Sequence, residues 1–219
     1  MDTRSWRPHG LIQQQTLEAA YQDAKMSVDS QGNVTSPKEH FTVSLFEDLF
    51  NKVIFPEDAF SVNSQVPPAT KPGAEKACDI AIRCCMDDYS RQILCFAEAK
   101  RASSHTNAAI RDLEEQARGY CADFLDANPN VDKIFACTLV GTSVRCWEFE
   151  EKSSHLQPLW NPAGQVATFS EYLDVGEDAV VRRLEKAFWT MKKSSRAKGP
   201  LRPGLITPAS AAGQPGPGH

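Results

Sequence analysis

Two alternating runs joined by a short polar turn lie between Cys78 and Lys100, and both are interrupted by charge where a buried strand would carry none. The first reads Ala77-Cys78-Asp79-Ile80-Ala81-Ile82-Arg83-Cys84, with one carboxylate among apolar neighbours. The second, Gln92-Ile93-Leu94-Cys95-Phe96-Ala97-Glu98-Ala99-Lys100, ends in an acid and an amine two residues apart. Side chains alternate across a strand, so Glu98 and Lys100 share one face while Ala97 and Ala99 take the other. A hairpin between the runs, turning near Asp87 and Asp88, predicts that Asp79 comes alongside and that two acids and an ammonium group converge.

The remainder must supply a core for that hairpin. With 219 residues and 41% hydrophobic content, one ordinary domain with tails is expected. The formal net charge of −4 argues against a dedicated nucleic-acid coat, though not against an enzyme with a local basic rim. Seven cysteines without CxxC spacing, mostly inside apolar runs, read as buried thiols of a reducing compartment. The five histidines are scattered, so no zinc ligand set emerges. No apolar run is long enough to span a membrane and the N-terminus is not a secretory signal, which predicts an intracellular protein, cytoplasmic or nuclear.

Residues 1–35 read as an irregular arm and a short helix over 15–26, followed by a linker over 27–35. Ser36-Pro37-Lys38-Glu39 predicts a capping box opening a helix that runs to about residue 55, where Pro56 stops it. Glu47 falls at the margin of this helix's apolar stripe, either as a solvated rim residue or aimed at the Asp79–Glu98 cluster. Residues 60–66 suggest a short strand, and Pro67, Pro68, Pro72 and Gly73 a mobile loop. A polar loop over 101–106 leads to a long helix over 107–127. Its apolar face holds Leu113, Ala117, Tyr120 and Phe124; Gln116 falls on it, and Glu114, Glu115 and Arg118 lie elsewhere. Residues 133–140 read as a central strand apolar on both faces, and 143–150 as an alternating strand bearing Trp147 and Phe149. Pro158 confines residues 155–160 to an edge strand or loop, and 178–193 form a last amphipathic helix. Residues 36–193 therefore constitute the domain, and 194–219, rich in Gly, Pro, Ala and Ser, a disordered tail.

Helix, hairpin, long helix, strand, with Asp79 on one hairpin strand and Glu98-Ala99-Lys100 on the other, resembles the PD-(D/E)xK nuclease superfamily. Gln116-Ala117-Arg118-Gly119-Tyr120 is similar to the Q-x-x-x-Y helix of type I restriction-enzyme nuclease domains and of archaeal and phage relatives; uncharacterised fungal proteins carry such a domain too. The resemblance covers roughly residues 36–150, and it departs from the pattern at Cys78, where the motif has proline. It implies an α/β, restriction-endonuclease-like fold, a mixed central β-sheet flanked by α-helices. It further implies a nuclease in which Asp79, Glu98 and the Ala99 carbonyl hold Mg²⁺ or Mn²⁺, hard ions that prefer oxygen ligands. In this scheme Lys100 activates water or stabilises developing charge, Gln116 orients it, and Glu47 and Tyr120 support the site. Arg101, Arg111 and Arg118 would touch backbone phosphates of the substrate, DNA in preference to RNA, and the oligomeric state is left open, a homodimer that cuts both strands included.

Plainer readings stand beside these. Asp79 and Lys100 can pair as ions, Glu98 can be a solvated strand-end acid, and Gln116 can satisfy a carbonyl. An inactive module of the same fold, binding nucleic acid, or a protein through an edge strand and Trp147, is the second expectation. The basic residues Arg182, Arg183, Lys186, Lys192, Lys193, Arg196, Lys198 and Arg202 are a solvated helix face and tail, or a nucleic-acid tether or nuclear address.

Overall fold

The computed structural model describes residues 6–28, 30–67, 77–86, 89–161 and 166–195. Asp87 and Asp88, Pro68, Pro72 and Gly73, and the tail from Arg196 onward lie outside the described residues.

The chain begins with α1 (Gln15–Ala24), a ribbon of β1 (Ser27–Val28) and β2 (Val34–Thr35), and α2 (Glu39–Leu49). A π-helical turn, Phe50–Ile54, ends α2, with the Phe55 N–H donating to the Phe50 carbonyl. Then come β3 (Phe60–Val66), β4 (Cys78–Cys85), β5 (Arg91–Lys100), α3 (Asn107–Ala127), β6 (Lys133–Val140), β7 (Ser143–Glu150), β8 (Gln157–Pro158), β9 (Leu173–Asp174) and α4 (Val181–Ser194). The fold is α/β with a mixed seven-stranded sheet in the order β3-β4-β5-β6-β7-β8, β9 also pairing β7. Every pairing is antiparallel except β5 with β6, which needs a crossover connection, and α3 supplies it.

Local chemistry explains most of these boundaries. The Thr106 hydroxyl accepts the Ala109 N–H at the start of α3, and Ile110, Leu113, Ala117, Tyr120, Cys121 and Phe124 recur at three- and four-residue spacing on its buried face. Asn128 ends the helix by donating its side-chain amide to the Phe124 carbonyl. One face of the sheet packs Ile80, Ile82, Ala97 and Cys137 against Leu17, Phe46, Phe50 and Phe188 from α1, α2, the π turn and α4. The other packs Ala81, Phe96, Ala136 and Trp147 against Ala117, Tyr120 and Phe124 of α3. All seven cysteines are free thiols and all but Cys85 are buried.

Four local expectations are corrected. Residues 27–35 form a ribbon, and Leu11 and Ile12 of the expected irregular arm are fully buried in the main core. The capping box does not form: α2 opens two residues later on Lys38 with no side-chain cap, because the Ser36 hydroxyl bonds Ser103 instead. β7 is buried on both faces rather than alternating, since α3 and Tyr172 cover the side expected to meet solvent. Trp147 is therefore sealed, donating its indole N–H to Thr138, and offers no surface to a partner. Among the described residues no helix is long and apolar enough to cross a membrane.

Candidate active site

Strand register brings the sequence-predicted acids together. The β4–β5 ladder ends at Ile80 opposite Ala97, and one step further Asp79 faces Glu98. There the ladder gives way to a side chain: the Asp79 carboxylate accepts the Ala99 N–H at 2.9 Å. Two carboxylates directly opposite on neighbouring strands repel each other, which a fold does not adopt for its own stability.

Glu98 carries the largest share of this cost. It is 4% exposed, and its Oε2 is buried with no hydrogen-bond partner. Burial, reinforced by the Asp79 charge, pushes its carboxyl up to about 7, while Lys100 and the Asp79 backbone N–H hold it back. Lys100 is half-buried on the same strand face, at the end of β5. Its carboxylate partner is Glu39 at 3.8 Å, not Asp79, so the Asp79–Lys100 ion pair is not the arrangement adopted. The Lys100 carbonyl accepts the Thr42 hydroxyl at 3.1 Å, pinning the first turn of α2 against the end of β5.

That docking decides which acid of α2 reaches the cluster. Glu39 sits in the first turn beside Lys100. Glu47 lies eight residues on, about 12 Å further along the helix axis, and is not brought to the site. Sequence reasoning had assigned Glu39 to a cap and missed it; no periodicity tells which end of a helix meets a strand.

α3 closes the site from the side. The Gln116 side-chain amide donates to the Tyr120 hydroxyl at 3.4 Å, and that hydroxyl donates to the Ala77 carbonyl at 3.3 Å, just ahead of Asp79. Burial and the Glu98 charge push the Tyr120 phenol up to about 12, so it stays a neutral donor. Arg101 and Arg111 are exposed near the start of α3. Arg118 is paired on α3 itself, Glu115 holding its guanidinium at 2.6 Å.

A second polar cluster was missed. Glu98 is opposite Thr138, and Thr138 is opposite Arg145, so a polar row crosses the sheet beneath α3. Arg145 is fully buried, 3.6 Å from Glu114 and stacked 4.2 Å from the Trp147 ring centroid. Glu114, expected off the buried face, accepts the Ala167 N–H at 2.8 Å, and the Tyr172 hydroxyl lies 3.3 Å from it and 2.8 Å from Thr138. A charged residue between Val144 and Cys146 was the available signal, of the same kind that singled out Asp79.

An oxygen of Glu98 without a donor, beside a second carboxylate, suits a hard cation. Among the described residues no group of three His, Cys, Asp or Glu side chains could hold a metal ion. No family model, curated protein or solved structure matches the chain.

Proposed function

We propose that the chain is a restriction-endonuclease-like, metal-dependent nuclease of the PD-(D/E)xK type, hydrolysing phosphodiester bonds of DNA in preference to RNA. What carries the reading is the buried Glu98 carboxylate, with one oxygen unpartnered and a second acid opposite. Left alone, that arrangement penalises the fold; a divalent cation in front of it removes the penalty.

Asp79 and Glu98 would hold Mg²⁺ or Mn²⁺, joined by the Ala99 carbonyl. Such an ion, when bound, supplies charge that polarises a phosphate and lowers the pKa of water. Lys100 presents an ammonium group on the same face as Glu98, placed to stabilise charge developing on a phosphate oxygen. Glu39 keeps that ammonium from swinging away. Tyr120 holds the strand entering Asp79 through the Ala77 carbonyl, and Gln116 orients the phenol. Arg101 and Arg111, exposed at the rim, would meet backbone phosphates.

Supercoiled plasmid and circular single-stranded DNA incubated with Mn²⁺ test the proposal. The wild-type chain is expected to cut, and EDTA, Asp79→Ala or Lys100→Ala to abolish cutting. Equal cutting by all three proteins would identify a contaminant and sink the reading. One observation favours a second reading, an inactive nuclease-fold module: Asp79 is already engaged by the Ala99 N–H. Retained DNA binding without cutting by any preparation selects it.

A further inference from the structure

The loop after β9 and the segment ahead of α1 meet around one imidazole. His9 stands with its Nδ1 2.8 Å from the Gly176 carbonyl oxygen and its Nε2 2.7 Å from the Glu18 carboxylate. Both partners can only accept, so both contacts are hydrogen bonds only while each ring nitrogen carries a proton. Glu18 is not a neutral acid here. Its other oxygen accepts the Gln22 amide at 2.7 Å, and although burial acts against its charge, Gln22 and His9 hold its carboxyl below the ordinary value. The His9 and Glu18 side chains are 31% and 23% exposed, open enough to exchange protons with water.

The segment is seated closely on the loop. The Leu11 N–H donates to the Val175 carbonyl at 2.7 Å, and the Gly10 N–H to the Asp178 carboxylate at 2.6 Å. Gly10 has φ +52°, and a Cβ there would overlap the Val175 carbonyl, so only glycine lets the two chains come this near. From the loop, hydrogen bonds continue to the candidate site. The Asp174 carboxylate accepts the Gly176 N–H at 2.8 Å, the Tyr21 hydroxyl at 2.9 Å and the Thr142 hydroxyl at 2.6 Å. The Val175 N–H donates to the Thr142 carbonyl at 3.0 Å, and the neighbouring Gly141 N–H to the Lys100 carbonyl at 3.1 Å. The β6–β7 turn thus backs the strand end that carries Lys100.

We propose that His9 is a proton-operated clasp: as an imidazolium it locks residues 174–178 onto the segment before α1 and steadies the Gly141-Thr142 turn behind Lys100, and as a neutral ring it loosens both. The clasp itself depends on no activity; that it regulates an active site rests on the nuclease reading. A neutral ring keeps one N–H, which the charged Glu18 takes, and the Nδ1 lone pair is left against the Gly176 oxygen. The surroundings add to the loss. Glu18 and Tyr21 face the ring from α1 and Asp178 from the loop, while Asp174 and Glu177 act on the Tyr21 phenol beside it. Arg7 on the same segment and Lys25 over the Tyr21 ring are exposed to water, so a neutral His9 removes the positive charge at the centre of these acids. Burial opposes that charge, but the Gly176 carbonyl, Glu18 and Asp178 outweigh it and raise the His9 pKa above the ordinary 6.5. The clasp is accordingly complete below pH 6.5 and is lost as pH rises through the native-state value.

Imidazole nitrogen-15 spectra and amide hydrogen exchange of the wild-type chain in EDTA, read from about pH 5.5 to about pH 9, test the clasp. His9 is expected to hold protons on both nitrogens at about pH 6.5 and to titrate above it. Protection of the Gly10, Leu11, Gly176 and Gly141 amides should fall about tenfold as it does, one charge-assisted hydrogen bond being lost, while the Phe135 amide in the core stays unmoved. His9→Gln, neutral throughout, should show the weakened protection at every pH. A His9 already neutral at about pH 6, or protection that ignores its titration, overturns the clasp. An equal fall at Phe135 marks loosening of the whole fold and overturns it as well. Loss at Gly10 and Gly176 with Gly141 unchanged overturns the link to Lys100. In Mn²⁺, cutting by His9→Gln relative to wild type should be about one-third at about pH 6.5 and approach parity once wild-type His9 is neutral. A ratio flat in pH, from a wild type that cuts, overturns the regulation alone. A wild type that never cuts, while its Gly141 protection follows His9, overturns the nuclease and keeps the clasp.

Discussion

Replacing Glu98 with glutamine should make the metal-free protein more stable, and only on the alkaline side. The native Glu98 carboxyl is pushed up to about 7 from an ordinary 4.5. Between those values the native state holds a proton that the unfolded chain has released, so unfolding free energy falls as pH rises. Above about pH 7 the full penalty applies, on the order of 3 kcal/mol at about 1.4 kcal/mol per pH unit. Glu98→Gln keeps the shape and removes the charge. Its advantage over wild type should be near zero at about pH 4.5 and grow to about 3 kcal/mol by about pH 8. The assay is urea unfolding in EDTA at several pH values, with midpoints compared at common slope. His9 and Glu114 also have raised pKa values and tilt both curves the same way, so the difference curve isolates Glu98. Adding Mn²⁺ should stabilise wild type most above about pH 7, where the ligand is ionised, and leave Glu98→Gln unmoved. A difference curve flat in pH, or a variant weaker than wild type near pH 8, would refute the assignment of Glu98 as a buried acid facing Asp79.

Two further outcomes are expected. Arg145→Met should cost about 3–5 kcal/mol by stranding the buried Glu114 charge, and Arg145→Met with Glu114→Gln should recover much of that in a double-mutant cycle; additive losses would contradict a direct 3.6 Å pairing. Gly141→Ala should destabilise by about 1–3 kcal/mol and lower any cutting activity, since φ there is +59° and the new Cβ would strike Ala102 just after Lys100; an unaltered melt would count against that close approach.

How far the chain could be read before folding depended on whether the relevant physics was local. β3, β6, β7 and α3 begin and end where alternation, helical spacing, the Asn128-Pro129 break and the Gly141-Thr142 turn place them. That the hairpin brings Asp79 toward Glu98 was legible in the two runs, but the register was not: a shift between Ile82 and Arg83 moves the ladder by one residue, without which Asp79 would stand opposite Ala97. Failures came where a distant segment made the decision. Ser36 looks like a cap until Ser103 takes its hydroxyl. Glu114 looks solvated until residues 166–172, a stretch without periodicity, fold over it. Glu39 and Glu47 are both acids on one helix, and only the Thr42 contact with the Lys100 carbonyl shows which end meets the site.

The polar row across the sheet sharpens the case for the site by internal comparison. Glu98, Thr138 and Arg145 sit side by side on three adjacent strands, all buried under the same helix. At the Arg145 end the protein answers burial with its own groups: Glu114 approaches the guanidinium, Trp147 stacks on it, and Thr138 receives the indole N–H. At the Glu98 end it supplies a second negative charge, only partly offset by Lys100 and the Asp79 backbone N–H, and leaves one oxygen without a partner. Both ends share one sheet, one spacing and one low-dielectric setting, so the contrast does not come from burial. The chain can neutralise a buried charge in this layer and does so two strands away. Next to Asp79 it keeps a buried carboxylate with one oxygen unmatched, and that is where the proposed cation would sit.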